Sequence, residues 1–423
     1  VGLVNEAFCL APWIHTYNGT LGERRVCCIS SLELGKGSTL SDSFNGDEIR
    51  QLRKDMIAGK QIESCNLCNN QPYENTYKFH FNGNYKYLID EVINNTKEDG
   101  TYTGLPITFD YRNDLCNLKC RICGSSASSS IRAEFTKFGN YQKESELLSG
   151  TESRNLSELQ LEEMLFLIEN TDIKEIYWAG GEPLFNINHY KVLNRLIELG
   201  KTNVFLRYNT NFTNITFREF NFLDIIAHFD RVHFYFSQDG IGETAEYLRY
   251  GQNFSKWDFN IQQIVKIKKP KWEFYVHSVM TILTLLDVEK IIEYVHRYEN
   301  IGISFFKCFS DEYKDILTPD FYPKEIITKI IEEKIQIIDN QYSGSRKSVA
   351  VNFLENMLKT FNQIERSDIQ TKLSFGYIDD LDKLRPYSKT FSDFIKEGNN
   401  ELFQYLSKRK AEISDNDNNR FPL

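Results

Sequence analysis

Between residues 105 and 310, six short segments rich in β-branched and aromatic residues alternate with longer segments of helical periodicity. No other feature narrows the fold as far. The strand-like segments read LPITFDYR, IKEIYWAG, NVFLRYNT, RVHFYFSQ, WEFYVHSVMTI and IGISFFKCF. Helices are predicted beside them over 128–138, 157–169, 189–200, 216–228, 257–268 and 287–298. Repeated βα units of this kind dictate an α/β architecture with a parallel sheet, because each helix must bury its apolar stripe on that sheet. Six units fit a partial (β/α)6 barrel. In LSELQLEEMLFLIEN, Ser157 and Gln160 make an N-terminal capping pattern, which predicts where helix 157–169 begins.

The flanks do not share the alternation. Residues 1–72 are turn-rich and carry Cys9, Cys27, Cys28, Cys65 and Cys68, and residues 73–104 form a polar, aromatic connector ending at EDGTYTG. From 311 to 423 the chain reads helical. There, KEIITKIIEEKIQIID sets Ile326, Ile327, Ile330, Ile331, Ile335 and Ile338 on one face, a stripe expected to pack on the barrel. The polar end SDNDNNRFPL is expected to fray. The expected organisation is a cysteine-rich domain over 1–72, a connector over 73–104, the barrel over 105–310 and a helical region over 311–423.

With 41% hydrophobic and 14% aromatic residues the chain can bury a sizeable core, and its net charge of −9 with no strongly basic run before the Lys/Arg-containing tail helix gives no electrostatic footprint for nucleic acid. No run of about 18 apolar residues is present to span a membrane. The start, VGLVNEAFCLAPW, lacks the basic and apolar regions of a signal peptide. Nine cysteines are an odd number, and most fall into tight groups with metal-ligand spacing rather than a disulfide framework. A reducing compartment, the cytoplasm, is expected.

The densest group is CNLKCRIC, a C-x3-C-x2-C motif made by Cys116, Cys120 and Cys123. It follows the first strand directly and so falls at the C-terminal mouth, where such barrels place their chemistry. A closed structural zinc site takes four ligands, whereas three thiolates can hold an iron–sulfur cubane with one iron open. The bland alternative is a zinc knuckle completed by a distant fourth ligand. Together, motif and strand–helix pattern resemble the radical S-adenosylmethionine (radical SAM) superfamily. The resemblance implies a [4Fe–4S] cluster on these three cysteines, with SAM bound to the free iron through its amino and carboxylate groups. It also implies reductive cleavage of SAM to methionine and a 5′-deoxyadenosyl radical, which abstracts a substrate hydrogen. The residue before the third cysteine is often aromatic in this family. Here it is Ile122, which implies apolar contact with the adenine in place of ring stacking.

Three further segments, each at a predicted strand end, extend the resemblance. YWAGGEP supplies Gly180, Gly181 and Glu182, which match the family's GGE motif for the SAM amino group. Glycines allow close backbone approach, and a carboxylate can pair with an ammonium. YNTN supplies Asn209, Thr210 and Asn211 as polar contacts for SAM, and SQDG supplies Ser237 and Asp239 as acceptors for ribose hydroxyls. Arg249, in EYLRYG, is placed to pair with the SAM carboxylate. Alone, a Gly-Gly turn or an Arg of this kind is commonplace; the order behind the cysteine loop carries the reading.

The N-terminal pattern is C-x12-G-x4-C followed by C-x2-C, using Cys9, Gly22, Cys27, Cys65 and Cys68. Four thiolates can close either a zinc site or a [4Fe–4S] cluster, and spacing does not choose between them. The pattern resembles the SPASM/twitch auxiliary-cluster domains of radical SAM enzymes, which implies a second [4Fe–4S] cluster. No cysteine lies between 68 and 116, which matches the shorter twitch version, although such domains usually follow the barrel. Cys28 is the alternative to Cys27, which the Gly22 spacing favours.

Cys308 ends the sixth strand and is a candidate hydrogen-atom donor, or else a buried small apolar residue. His189, His233 and His277 read as barrel or surface residues. Three functions follow from the resemblance. The first is modification of a peptide by oxidation, epimerisation or cross-linking. With eight residues ahead of Cys9, no separate leader-binding domain is expected, and the helical tail is the candidate substitute. The second is dehydrogenation or epimerisation of a sugar, aminocyclitol or other small metabolite, with the auxiliary cluster taking the electron left on the substrate. The third is a non-catalytic iron–sulfur carrier, which has no need of an open iron or a GGE motif. A reduced flavodoxin or a ferredoxin-like protein is the implied electron donor.

Overall fold

All six segments read as strands form strands, in a computed structural model that describes residues 5–36, 39–135, 150–308 and 313–417. Residues 136–138 of the first predicted helix, Phe309 of the sixth predicted strand and 418–423 of the polar end lie outside the described residues. Three N-terminal strands come first: β1 (His15–Asn18), β2 (Glu23–Arg25) and β3 (Glu33–Lys36). The predicted six follow as β4 (Thr108–Asn113), β5 (Glu175–Gly180), β6 (Phe205–Thr210), β7 (Arg231–Ser237), β8 (Trp272–Met280) and β9 (Ile301–Lys307). They make one nine-stranded sheet in the order β9-β8-β7-β6-β5-β4-β1-β2-β3. From β9 to β1 every pair is parallel, and only β1–β2 and β2–β3 are antiparallel. β1 therefore continues the parallel sheet past β4, with Tyr17 opposite Asp110.

Alternation along the strands divides the residues between two faces. Phe109, Tyr111, Ile176, Trp178, Leu206, Tyr208, Val232, Phe234, Val276 and Ile301 are buried on the helix-bearing face, where Trp178 meets the helical His189 edge-on with ring centroids 4.8 Å apart. That packing places the core between the sheet and the helices Gly150–Asn170, Ile187–Glu198, Phe254–Lys266 and Val288–His296. The other face carries Asp110, Arg112, Glu175, Tyr177, Arg207, His233, Tyr235 and His277.

Helix starts differ from expectation where a side chain finds another partner. The helix expected to begin at Ser157 runs from Gly150, and Ser157 is an interior residue whose Oγ accepts from Asn188 Nδ2 at 2.8 Å. Once nucleated, a helix propagates cheaply through such a position. Asn186 and Asn253 cap the helices Ile187–Glu198 and Phe254–Lys266, which start ahead of their apolar stripes. The span 216–228 holds a hairpin, Thr216–Phe217 against Phe220–Asn221, before a short helix Phe222–Ile226. Arg218 turns that hairpin at φ 53°, a left-handed conformation that stops a helix from beginning at 216.

Beyond the barrel the described residues are helical: Lys324–Gln341, Gly344–Thr360, Asp368–Leu384, Phe391–Gly398 and Asn400–Asp417. Ile326, Ile327, Ile330, Ile331 and Ile338 are buried and Ile335 is half-buried, as the stripe requires. No helix among the described residues is long and apolar enough to cross a membrane.

Candidate functional site

The three-cysteine loop leaves the end of β4 and is pinned on two sides. Lys119–Cys120 pairs antiparallel with Arg249–Tyr250, and Arg121 N donates to Leu248 O at 2.8 Å. A turn closed by Cys123 N on Cys120 O, 3.1 Å, brings those two thiols within hydrogen-bonding reach. The hydrogen bond between them holds Cys123 below its usual value and, together with burial, pushes Cys120 well above it. Burial pushes Cys116 up to about 12.

Gly180, Gly181 and Glu182 strap this loop from the end of β5. Glu182 N donates to Leu115 O at 2.6 Å, and Gly181 N bonds to Asn113 O. A Cβ on Gly181 would stand 2.1 Å from Leu115 O, so the glycine permits a close approach to the chain's own loop, one residue ahead of Cys116. The Glu182 carboxylate is 3% exposed and takes Leu184 N at 3.0 Å, the Thr210 hydroxyl at 2.6 Å and Asn211 N at 2.6 Å. Burial still pushes it up to about 7. A carboxylate offers about four lone-pair sites, so one remains for a cationic donor.

Asn211 and Arg249 carry the arrangement to the sulfurs. Asn211 Nδ2 reaches Asn117 Oδ1 at 2.9 Å and Cys116 Sγ at 3.9 Å. Arg249 pairs with the buried Asp239 at 2.8 Å, and its other terminal nitrogen stands 3.8 Å from Cys120 Sγ. Asp239 also accepts Val279 N at 2.8 Å. Glu182, Thr210, Asn211, Asp239 and Arg249 are thus linked, directly or in one step, to the cysteine loop. Asn209 and Ser237 lie at neighbouring strand ends, half-buried, without a hydrogen bond to that group. Ile122 is half-buried against the core. Cys308 is buried just past β9; burial pushes it up to about 12, and the field of Asp239 adds to the effect.

These residues fit an iron–sulfur cluster. Three thiols come from one loop, and an amide and a guanidinium approach two of the sulfurs. Among the described residues the buried Asn209 Oδ1 and both polar atoms of the Gln238 amide have no partner, which a polar ligand at the mouth would supply. No group of three or more His, Cys, Asp or Glu among the described residues is set to hold a single metal ion.

The N-terminal thiols are also placed. Cys65 and Cys68 lie close enough to act on Cys9, and Cys27 also feels Cys9. Cys65 and Cys68 line a cavity of about 420 Å³ with Lys78. Cys28 acts on Cys27 more strongly than Cys9 does, and it is also in reach of the Tyr77 hydroxyl and the Asp110–Arg112 pair. His189 is a core residue bonded to the Tyr208 hydroxyl at 2.9 Å and lowered to about 3 by burial. His233 faces Glu273 at 3.3 Å, and His277 stacks on Phe306 at 4.1 Å.

Sequence reasoning missed the polar inner face. Arg112 forks onto Asp110 at 3.1 and 3.0 Å, Arg207 pairs with Glu175 at 2.9 Å, and both guanidinia lie over the Tyr177 ring. The N-terminal segment covers this half, with His80 and Tyr85 on Glu175 at 3.0 and 2.8 Å. Among the described residues nothing comparable covers the β7–β9 half, where Tyr235 and Tyr275 stack at 5.5 Å and Phe306 is 47% exposed. The signal was present in the sequence, since Thr108, Asp110 and Arg112 alternate with Phe109 and Tyr111.

Residues 112–297 match the profile of the Radical SAM superfamily. Over 139 residues the chain is 28% identical to 7-carboxy-7-deazaguanine synthase of Thermoplasma acidophilum, an overlap of 33% of this chain and 53% of that one. The chain thus spans about half the length of this curated relative. Among solved structures, anSMEcpe with bound AdoMet overlaps 55% of this chain and 60% of its own, at 16% identity and a TM-score of 0.38. Streptococcus suis SuiB bound to precursor peptide SuiA overlaps 71% of this chain and 60% of its own, at 12% identity and a TM-score of 0.35.

Proposed function

We infer that this chain, which carries a radical SAM superfamily domain over residues 112–297, is a radical SAM enzyme that modifies a peptide by oxidation, epimerisation or cross-linking. The observation that carries the enzyme reading is the convergence on one three-cysteine loop of Glu182, Asn211 and the Asp239–Arg249 pair. A carrier protein has no use for that constellation. Cys116, Cys120 and Cys123 would hold the [4Fe–4S] cluster. When bound, cluster and SAM supply one-electron cleavage to methionine and a 5′-deoxyadenosyl radical, which takes a hydrogen atom from the substrate. Glu182 receives the SAM ammonium at its remaining lone pair, and Thr210 and Asn211 hold that carboxylate in place. Asn209, Ser237 and Asp239 offer oxygens to the cofactor's polar groups. Arg249 faces the cofactor carboxylate while anchored to Asp239, and Ile122 contacts the adenine. Cys9, Cys27, Cys65 and Cys68 would hold a second, closed [4Fe–4S] cluster of twitch type, which would supply an acceptor for the electron left on the substrate in an oxidation. For epimerisation, in which that electron is not removed, Cys308 would instead give a hydrogen atom to the substrate radical, and its thiyl radical would be restored by one electron and a proton from the external donor.

The peptide reading rests on the likeness of the N-terminal cysteine pattern to twitch domains. A second reading, dehydrogenation or epimerisation of a small metabolite, is favoured by the curated relative named for a small heterocyclic product. It also draws on the stacked ring wall of Tyr235, Tyr275, His277 and Phe306 on the open half of the inner face. The proposed electron donor is a reduced flavodoxin or ferredoxin-like protein. The proposed compartment is the reducing cytoplasm, in keeping with nine free cysteines. Anaerobically reconstituted protein is expected to form 5′-deoxyadenosine from SAM and dithionite, and its absence would sink the enzyme reading. Deuterium transfer from labelled peptides or labelled metabolites into 5′-deoxyadenosine then separates the two substrate classes. Cys308→Ala with unchanged product stereochemistry and turnover removes the hydrogen-donor role.

A further inference from the structure

We propose that Arg385 is a positioning residue for the SAM-binding cluster, making the C-terminal helical region part of the radical-generating site. The proposal rests on the radical SAM reading above. Arg385 follows the helix Asp368–Leu384 and is fully buried. Its guanidinium reaches the cluster loop across more than 250 residues of sequence: one terminal nitrogen donates to Lys119 O at 3.1 Å and Cys120 O at 3.5 Å. Its remaining nitrogens fork onto Glu134 at 2.8 and 2.6 Å, and Glu134 also takes Lys119 Nζ at 2.9 Å. One carboxylate therefore ties the loop, the helix behind it and the C-terminal region together.

A second buried guanidinium repeats the tie in the opposite direction. Arg121 lies between two cluster cysteines, is fully buried over the Tyr247 ring at 3.8 Å, and donates to Arg385 O at 3.1 Å. It pairs with Asp382 at 3.1 Å, and Asp382 also takes the Tyr247 hydroxyl at 2.7 Å and Phe391 N at 2.9 Å. The Tyr377 hydroxyl donates to Arg121 O at 3.3 Å. Three successive carbonyls of the loop, at Lys119, Cys120 and Arg121, thus bond to side chains from the C-terminal region. A loop carrying metal ligands holds its geometry only as well as its supporting contacts do. Apolar packing alone does not require this arrangement: burying two guanidinia is costly unless each is paired and bonded. Here Arg385 is paired with Glu134 and bonded to two loop carbonyls, and Arg121, itself a loop residue, is paired with Asp382 and bonded to Arg385 O.

The test uses the full chain, reconstituted anaerobically and reduced, with the SAM-induced change in its EPR spectrum as readout and circular dichroism to follow folding. That change reports the open cluster alone, whatever the N-terminal cysteines hold. Arg385→Gln is expected to lower the SAM-responsive spin count about tenfold. Arg385→Lys is expected to fall between it and wild type, because one ammonium cannot span a carboxylate and two carbonyls. Lys383→Gln, on the exposed face of the same helix, is expected to match wild type. A folded Arg385→Gln protein with a wild-type response overturns the proposal. If that variant does not fold, a folded Arg385→Lys protein with a wild-type response overturns it instead. A wild-type chain with no SAM response removes the radical SAM reading and this proposal with it, whereas a responsive wild type matched by its variants removes the clamp alone.

Discussion

Glu182 is 3% exposed, accepts three hydrogen bonds and is still pushed up to about 7 by burial. An ammonium at its remaining lone pair would hold it ionised, so below pH 7 binding must release the proton that the free carboxylate carries. SAM affinity is therefore expected to fall with pH below 7, approaching about tenfold per unit. Calorimetric titration between pH 8 and 6 measures this, and Glu182→Gln should flatten the dependence while weakening binding at pH 8. Gly181 makes a steric prediction. Its added Cβ would press on Leu115 O at 2.1 Å, a backbone atom that cannot swing away. Gly181→Ala is expected to cost about 1–3 kcal/mol in a thermal or urea melt and to lower iron retention at the adjacent loop. Full iron content with an unchanged melt would show that the loop yields freely.

At the scale of elements, β4, β5 and β6 turn charged residues inward where parallel strands are usually apolar on both faces. Glu175 on β5 binds Arg207, His80 and Tyr85 at once. Burial works against its charge, but His80 and Arg207 outweigh it and hold the carboxyl well below the usual range. The folded value is depressed, so the stability it contributes is present above the ordinary value of 4.5 and is lost as pH falls below it. Urea midpoints taken from pH 6 to 3 should drop steeply in wild type and less so in Glu175→Gln. Glu175→Ala leaves Arg207 buried without its carboxylate and is expected to cost about 3–5 kcal/mol at pH 7. These contacts also set the shape of the inner face: the N-terminal segment is fastened over β4–β6, and among the described residues the side left open is β7–β9.

At the scale of the whole molecule, the two cysteine groups make separate claims on iron. Two cubanes would give about eight iron atoms per chain. The double variant Cys65→Ala, Cys68→Ala is expected to keep about four of them and the SAM-responsive EPR change. Loss of one bound zinc in place of iron, read by elemental analysis, would replace the twitch-type cluster with a zinc site. The placement of Cys28 against Tyr77 and Asp110 adds a control, since Cys28→Ala should leave the metal content unchanged.

The sequence by itself determined the six parallel strands, the three-cysteine loop after the first of them, and the order of GGE, NTN and SQDG at later strand ends. These are properties of short windows: periodicity, ligand spacing and turn chemistry act over a few residues and leave a local trace. The Asn caps at 186 and 253 are equally local, but the apolar stripes begin later than the helices do and so do not mark them. Only the tertiary structure decided which partners the buried charges take. Arg249 was legible as a cation near the cofactor, but its anchor on Asp239 and its approach to Cys120 depend on two strand ends meeting. Arg385 was not legible at all. Nothing in the helix before it marks it, and the carbonyls it holds lie more than 250 residues earlier. A buried guanidinium must satisfy its donors wherever the fold puts acceptors, and that location is set by how the C-terminal helices pack on the barrel, which no local pattern specifies.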